Sequence, residues 1–357
     1  MGVVLLVFLA ACGGSTATPT PLAGAGVPPT AATATTGQAA SGTTATRAAT
    51  AAATPASATA GTATRAAAPS GGTPTRAATP RVTSYPLAIK DDAGRTVTLA
   101  RRPQRIVSLA PSGTELLFAL GLGDRVVGVD KFSNYPAAAT SKPQIGSYAA
   151  TNLEQVLSTE PDLILASGIT KPDVIAAFEG RGIATVVLNP PNIDGVLANV
   201  TLLGQIADVA ADAARVRGEM EARVAAVNAR LRGTTTKPRV FFELDATQFF
   251  TVGPKSFIDD LIGRAGGANI AADAATPYPK LSQEQIIAKD PEVIILSDEG
   301  YGVTVDAVKT RPGWVGISAV KSGRIVGIDP DVANRPGPRV VDALEQLVLI
   351  IHPELFR

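Results

Sequence analysis

Two stretches of the chain carry the same hydrophobic pattern. Asn152-Leu-Glu-Gln-Val-Leu-Ser-Thr-Glu-Pro161-Asp-Leu-Ile-Leu-Ala-Ser167 returns as Ser282-Gln-Glu-Gln-Ile-Ile-Ala-Lys-Asp-Pro291-Glu-Val-Ile-Ile-Leu-Ser297. Each copy opens with helix-spaced apolar residues and breaks at an acidic-Pro-acidic triplet. Proline lacks an N–H and excludes the preceding residue from αR, so each helix must end there. Leu163-Ile164-Leu165 and Val293-Ile294-Ile295-Leu296 then form unbroken apolar runs, the pattern of parallel strands covered on both faces. Two copies of one αβ unit predict an α/β fold of two similar lobes with central parallel-type sheets. A ligand cleft is expected between the lobes, where small molecules bind.

The remaining pattern fills in the lobes. Tyr85–Lys90 and Arg95–Leu99 flank the turn Asp91-Asp-Ala-Gly94 and predict a β-hairpin. Arg105–Leu109 reads as a buried strand, Ala110–Gly113 as a loop and Thr114–Leu120 as a helix closed by Gly121. That order puts backbone N–H groups and Ser112 at the C-terminal edge of a sheet, where ligands of open α/β sheets sit. Strands are expected at 126–129 and 182–188. Residues 194–232 are helical by pattern, with a break near Asp208. The second helix, about 210–231, would be ~33 Å long, enough to join the lobes rigidly and keep hinge motion small. The second lobe starts with the strand 238–244 and continues with a loop at 249–256 and a helix at 257–262. It ends with a strand at 323–328, a loop at 329–338 and a helix from 339 to 351.

Ahead of all this the pattern disappears. Residues 1–12 are an apolar run ending Leu9-Ala10-Ala11-Cys12, too short to span a bilayer and read as a secretory signal. Residues 13–84 are Ala, Thr, Pro, Gly and Ser, charged only at Arg47, Arg65, Arg76 and Arg81. Such a tract cannot bury enough surface to offset its ordering entropy and is expected to be a disordered tether with a reach of roughly 45–50 Å; its Thr/Pro content suits O-glycosylation. The expected partition is therefore signal 1–12, tether 13–84, N-terminal lobe 85–192, helical segment 193–233 and C-terminal lobe 234–357. Setting those four arginines aside turns the formal net charge from +1 to −3 for residues 85–357. No basic stripe with interleaved aromatics is present, so nucleic acid is not an expected partner.

Candidate chemistry is sparse. Cys12 is the single cysteine and His352 the single histidine, which argues against a Ser-His-Asp triad, a cysteine nucleophile and a His/Cys metal site. His352 is expected to be solvated, and Asp259-Asp260 and Asp298-Glu299 to be exposed faces or caps. An enzyme is disfavoured, and neither cofactor nor metal is expected. Aromatic residues are only 4% of the chain, yet Tyr135, Tyr148, Phe249, Phe250 and Tyr278 fall at inter-element loops, as a ligand-facing cluster would. Arg335, set among Asn, Pro and Gly, could offer a planar fork to ligand oxygens.

Several of these segments together resemble a known family. Arg105–Ser112 with Glu115, Val127–Asp130, Asn134-Tyr-Pro136, Ile145–Tyr148, Asn152-Leu-Glu154 and Asn334–Arg339 look like the ferric-siderophore/cobalamin periplasmic-binding proteins of ABC importers. The spacing is most similar to the cobalamin-binding members. The resemblance covers roughly residues 85–357 and implies an extracytoplasmic solute-binding protein, a monomer, that passes cobalamin to a permease dimer. A ferric siderophore or haem is the alternative ligand, and a surface sensory or adhesive domain the alternative class. Leu-Ala-Ala-Cys resembles a bacterial lipobox, which implies lipidation of Cys12 and attachment to the membrane. By the same resemblance Pro111, Ser112, Tyr135, Tyr148, Phe250, Tyr278, Asp331 and Arg335 fall at ligand-contacting positions, and Glu154 and Glu284 at permease-docking positions. Ser167 departs from the pattern, since relatives can carry a large aromatic there.

Overall fold

The computed structural model describes residues 83–147, 150–299 and 301–356. The signal and tether expectations for 1–84, Cys12 and Tyr148 therefore lie outside the described residues, apart from Thr83 and Ser84. The chain opens with the hairpin β1 (Leu87–Lys90) and β2 (Thr96–Leu99), antiparallel as expected. Its turn is tied down by Asp91, whose buried carboxylate accepts from Arg95 and from the backbone N–H of Val187.

The first sheet is parallel, in the order β4-β3-β7-β8. It comprises β3 (Ile106–Ser108), β4 (Val126–Val129), β7 (Leu163–Ser167) and β8 (Ala184–Leu188). Around it lie α1 (Pro111–Ala119), α2 (Leu153–Ser158) and α3 (Pro172–Glu179), with the short pair β5 (Gly146–Ser147) and β6 (Ala150–Thr151) before α2. One boundary moves. Residues 111–113, expected in a loop, are the first turn of α1, because Pro111 at the first helical position has a φ already suited to a helix and needs no N–H partner.

Two helices lead out of this lobe, α4 (Ile193–Ile206) and α5 (Ala210–Arg230), the latter 21 residues long. The break falls where expected, with Asp208 at φ 56°. The second sheet runs β10-β9-β12-β13, with β11 beside β9. Its members are β9 (Arg239–Asp245), β10 (Phe250–Thr251), β11 (Ala268–Asn269), β12 (Val293–Leu296) and β13 (Ile325–Gly327). Helices α6 (Phe257–Arg264), α7 (Gln283–Lys289), α8 (Val305–Lys309), α9 (Ser318–Ser322), α10 (Pro330–Ala333) and α11 (Val340–Ile351) complete it.

One hydrophobic cluster runs through both lobes. It joins Ile106 and Leu163 of the first sheet to Val240 and Val293 of the second through Val200 and Leu203 of α4, Val216 and Met220 of α5, and Leu344 of α11. Arg223 of α5 reinforces the junction by pairing with Asp342 and Glu345 of α11. Bending the lobes apart would open this packed apolar core, so the helical segment acts as a strut.

Three expectations need correcting. His352 is fully buried rather than solvated: its ring nitrogens lie 2.8 Å from Glu354 and 3.2 Å from the carbonyl of Gly266, both acceptors. Closing the last helix against the turn at Gly266 drives it inside. Asp298 is buried too, at the end of β12, and burial together with the nearby Glu243 carboxylate pushes its acid up to about 6. Phe249 faces a core instead of a ligand: its ring lies 5.9 Å from that of Trp314.

Candidate functional site

The two lobes meet at a polar seam that begins with Glu115. It lies on α1 between Thr114 and Leu116, all three buried. A carboxylate in such a place needs partners, and the C-terminal lobe supplies them. Arg339, at the start of α11, donates Nε to Oε2 at 2.9 Å and Nη2 to Oε1 at 2.6 Å. Arg335 adds a third contact at 3.3 Å. Bidentate guanidinium–carboxylate pairing fixes geometry as well as charge, and Glu115 holds Arg339 still more firmly in its charged form.

Arg335 is itself enclosed by both lobes. It donates to Asn134 Oδ1 at 2.7 Å and to the Phe132 carbonyl at 3.1 Å, and it pairs with Asp331 of its own lobe. Asn134 closes the ring by donating Nδ2 to Asp331 Oδ2 at 2.6 Å. Above lies Tyr135, half exposed, with the Arg339 guanidinium 4.2 Å from its ring centroid, a favourable cation–π distance. The C-terminal loop passes close to α1 at Gly337. A Cβ there would stand 3.4 Å from the Ser112 carbonyl and 3.5 Å from Glu115.

The structure thus brings together Ser112, Tyr135, Asp331 and Arg335 from the sequence-derived set, with Pro111 one residue before Ser112 at the head of α1. Phe250 and Tyr278 belong to neighbouring segments of the C-terminal lobe, joined by Thr251 N–H donating to the Pro279 carbonyl, and Tyr278 packs against the main hydrophobic cluster. Phe250 is on β10, under the Lys280 ammonium at 4.8 Å. Tyr278 follows Pro277, whose carbonyl accepts from Gly253, and burial raises the pKa of its hydroxyl. Sequence reasoning missed Glu115, Arg339 and Asn134 as site residues. A usable signal for Glu115 existed, a lone acid inside an otherwise apolar helical run.

Ser167, at the end of β7, lines a cavity of about 430 Å³ together with Gly168, Thr170, Ile175, Val187 and Asn189. Small residues at 167 and 168 leave this space at the C-terminal edge of the first sheet. Glu154 and Glu284 occupy matching places in the first turns of α2 and α7, both exposed. Neither caps its helix. Asn152 accepts from Gln155 N–H, and Ser282 forms a reciprocal capping box with Gln285. A hydrogen bond with Ser282 lowers the pKa of Glu284.

Two sheets of this topology, a helical strut and a polar interlobe seam define a bilobal binding protein. Residues 106–332 match the model of the periplasmic binding protein family, and the chain belongs to that family. It is a substrate-binding protein of the kind that serves ABC importers. Over 281 residues it is 32% identical to a cobalamin-binding protein of Halobacterium salinarum, covering 76% of each chain. An uncharacterized ABC transporter substrate-binding lipoprotein, YvrC, of Bacillus subtilis is 31% identical, across 76% of this chain and 88% of that one. Among solved structures, the periplasmic heme-binding protein RhuT from Roseiflexus sp. RS-1 superposes with a TM-score of 0.64 at 30% identity, over 71% of this chain and 99% of the other.

Proposed function

We propose that this protein captures a corrinoid of the cobalamin type outside the cytoplasm and delivers it to an ABC permease dimer, as a monomer held to the membrane through a lipid on Cys12. The observation that carries this reading is the seam. The ring of Tyr135 is half exposed and braced by Arg339, beside the exposed amide of Asn134. An aromatic plane bordered by hydrogen-bonding groups suits a flat macrocycle fringed with amides. The name of the Halobacterium relative supports the same ligand, and the lipoprotein named in Bacillus supports the anchor. Pro111, Ser112, Tyr148, Phe250, Tyr278, Asp331 and Arg335 complete the ligand set in this reading. The corresponding partition keeps 85–192 and 234–357 as lobes and 193–233 as the helical segment. A haem or ferric-chelate ligand is the second reading, supported by the haem-binding structural relative.

Calorimetric titration of the full chain with cyanocobalamin, haem and ferric siderophores tests the proposal. Cyanocobalamin should bind most tightly, and Tyr135→Ala should weaken it about tenfold or more. Tight binding of haem alone would replace the corrinoid reading. Glu154 and Glu284 are the proposed permease contacts, one per lobe, since the capping of their helices rests on neighbouring residues. The double variant Glu154→Ala/Glu284→Ala should keep ligand affinity and Tm while losing stimulation of the transporter ATPase. Normal stimulation would remove docking from their role.

A further inference from the structure

The seam is charge-balanced. Arg335 and Arg339 are opposed by Glu115 and Asp331. Beyond these four, Asp329 acts on Arg339, and the Lys131 ammonium lies 4.7 Å over the Phe132 ring. Both guanidinium forks are already engaged by protein oxygens: Arg335 by Glu115, Asn134, Phe132 and Asp331, and Arg339 by Glu115 and the Asp331 carbonyl. The Glu115 side chain is 1% exposed, and the Asp331 side chain 32%. Glu115 is therefore the more deeply enclosed of the two negative charges, beneath the rim formed by Asn134 and Tyr135. A ligand carboxylate arriving at that rim finds both guanidinium forks already occupied and meets two protein carboxylates; an amide meets no such penalty.

We propose that Glu115 is a selectivity residue, which holds Arg339 and Arg335 neutralised and so turns away macrocycles bearing two carboxylates in favour of uncharged, amide-fringed ones. This rests on the seam being the ligand site, as read above. Glu115→Gln keeps the shape, frees one side of the Arg339 fork and leaves the cluster one unit positive. Asp331→Asn makes the same change in charge from the opposite lobe.

The test is equilibrium titration of the full chain and both variants with haem, which has two propionates, and with haem dimethyl ester, the same ring without those charges. Each variant should shift the preference for haem over its ester by about tenfold relative to the parent chain, and the shift should shrink with added salt. Loss of packing alone would weaken both porphyrins together and leave the ratio unchanged. An unchanged ratio in both variants overturns the proposal; should Glu115→Gln not fold, Asp331→Asn decides it alone. If the parent chain binds neither porphyrin, haem binding without ester binding in a variant supports the proposal, and binding of neither overturns it. Failure of the parent chain to bind cyanocobalamin would instead remove the corrinoid reading, and the porphyrin ratio would still report on Glu115.

Discussion

The two lobes use one device to join helix to strand, and then diverge at the ends of the strands. In the first, Glu160 takes φ 46° before Pro161; in the second, Asp290 takes φ 42° before Pro291. The arginine that opens the central strand closes the helix in both. Arg105 donates to the carbonyls of Thr159 and Glu160, and Arg239 to that of Asp290. The acid after each proline receives the backbone N–H of that same arginine, Asp162 from Arg105 and Glu292 from Arg239. Four residues further along the strand the likeness ends. The first lobe buries Leu109, whereas the second buries Glu243 in a bidentate pair with Arg311, beside Asp298. The Arg311 guanidinium lies 4.7 Å from the Trp314 ring. The two lobes thus share the backbone turn and its arginine clasp, while the strand ends carry different side chains.

The sharpest way to break this comparison is to remove Arg311. Arg311→Met leaves Glu243 buried and uncompensated and should cost about 3–5 kcal/mol in denaturant unfolding. Adding Glu243→Leu, which copies the first lobe, should restore most of that loss. A double variant as unstable as the single one would show that the ion pair is not what Arg311 provides.

A smaller effect comes from Asp298. Its folded-state acid, near 6 against an ordinary 3.8, binds a proton more tightly than the unfolded chain does. Its ionisation therefore removes stability as pH rises from about 4 to about 6, on the order of 3 kcal/mol, with no further change above. Asp298→Asn should flatten that part of the stability–pH curve. The first lobe has Gly168 at the matching position and no titrating group there.

The smallest effect lies in the repeated turns. Glu160→Gly relieves a left-handed side chain but loosens the unfolded chain, so stability should stay within about 0.5 kcal/mol. Asp290→Gly also loses the contacts of Asp290 with Ser318 N–H and Oγ and should cost about 1 kcal/mol more. Equal losses at both sites would mean that the two turns are energetically alike.

The repeat, the hairpin, the break near Asp208 and the long strut were legible in the sequence because each rests on local rules: proline excluding αR, period-2 and period-3.6 patterns, and chain length per helical residue. Ser112, Tyr135, Asp331 and Arg335 could be singled out from local context and family resemblance, and the fold gathers them at one seam. What it gathers them around was not legible. Glu115 and Arg339 are 224 residues apart, and no local pattern states that a lone acid in one lobe will meet a fork from the other. The fates of His352 and Asp298 were hidden for the same reason, since burial of a polar group depends on what packs over it. Sequence periodicity determined which segments are helix and strand. Only tertiary packing, between the lobes at Glu115 and within the second lobe at Glu243, decided which charges are buried together, because that requires partners the chain brings in from far away.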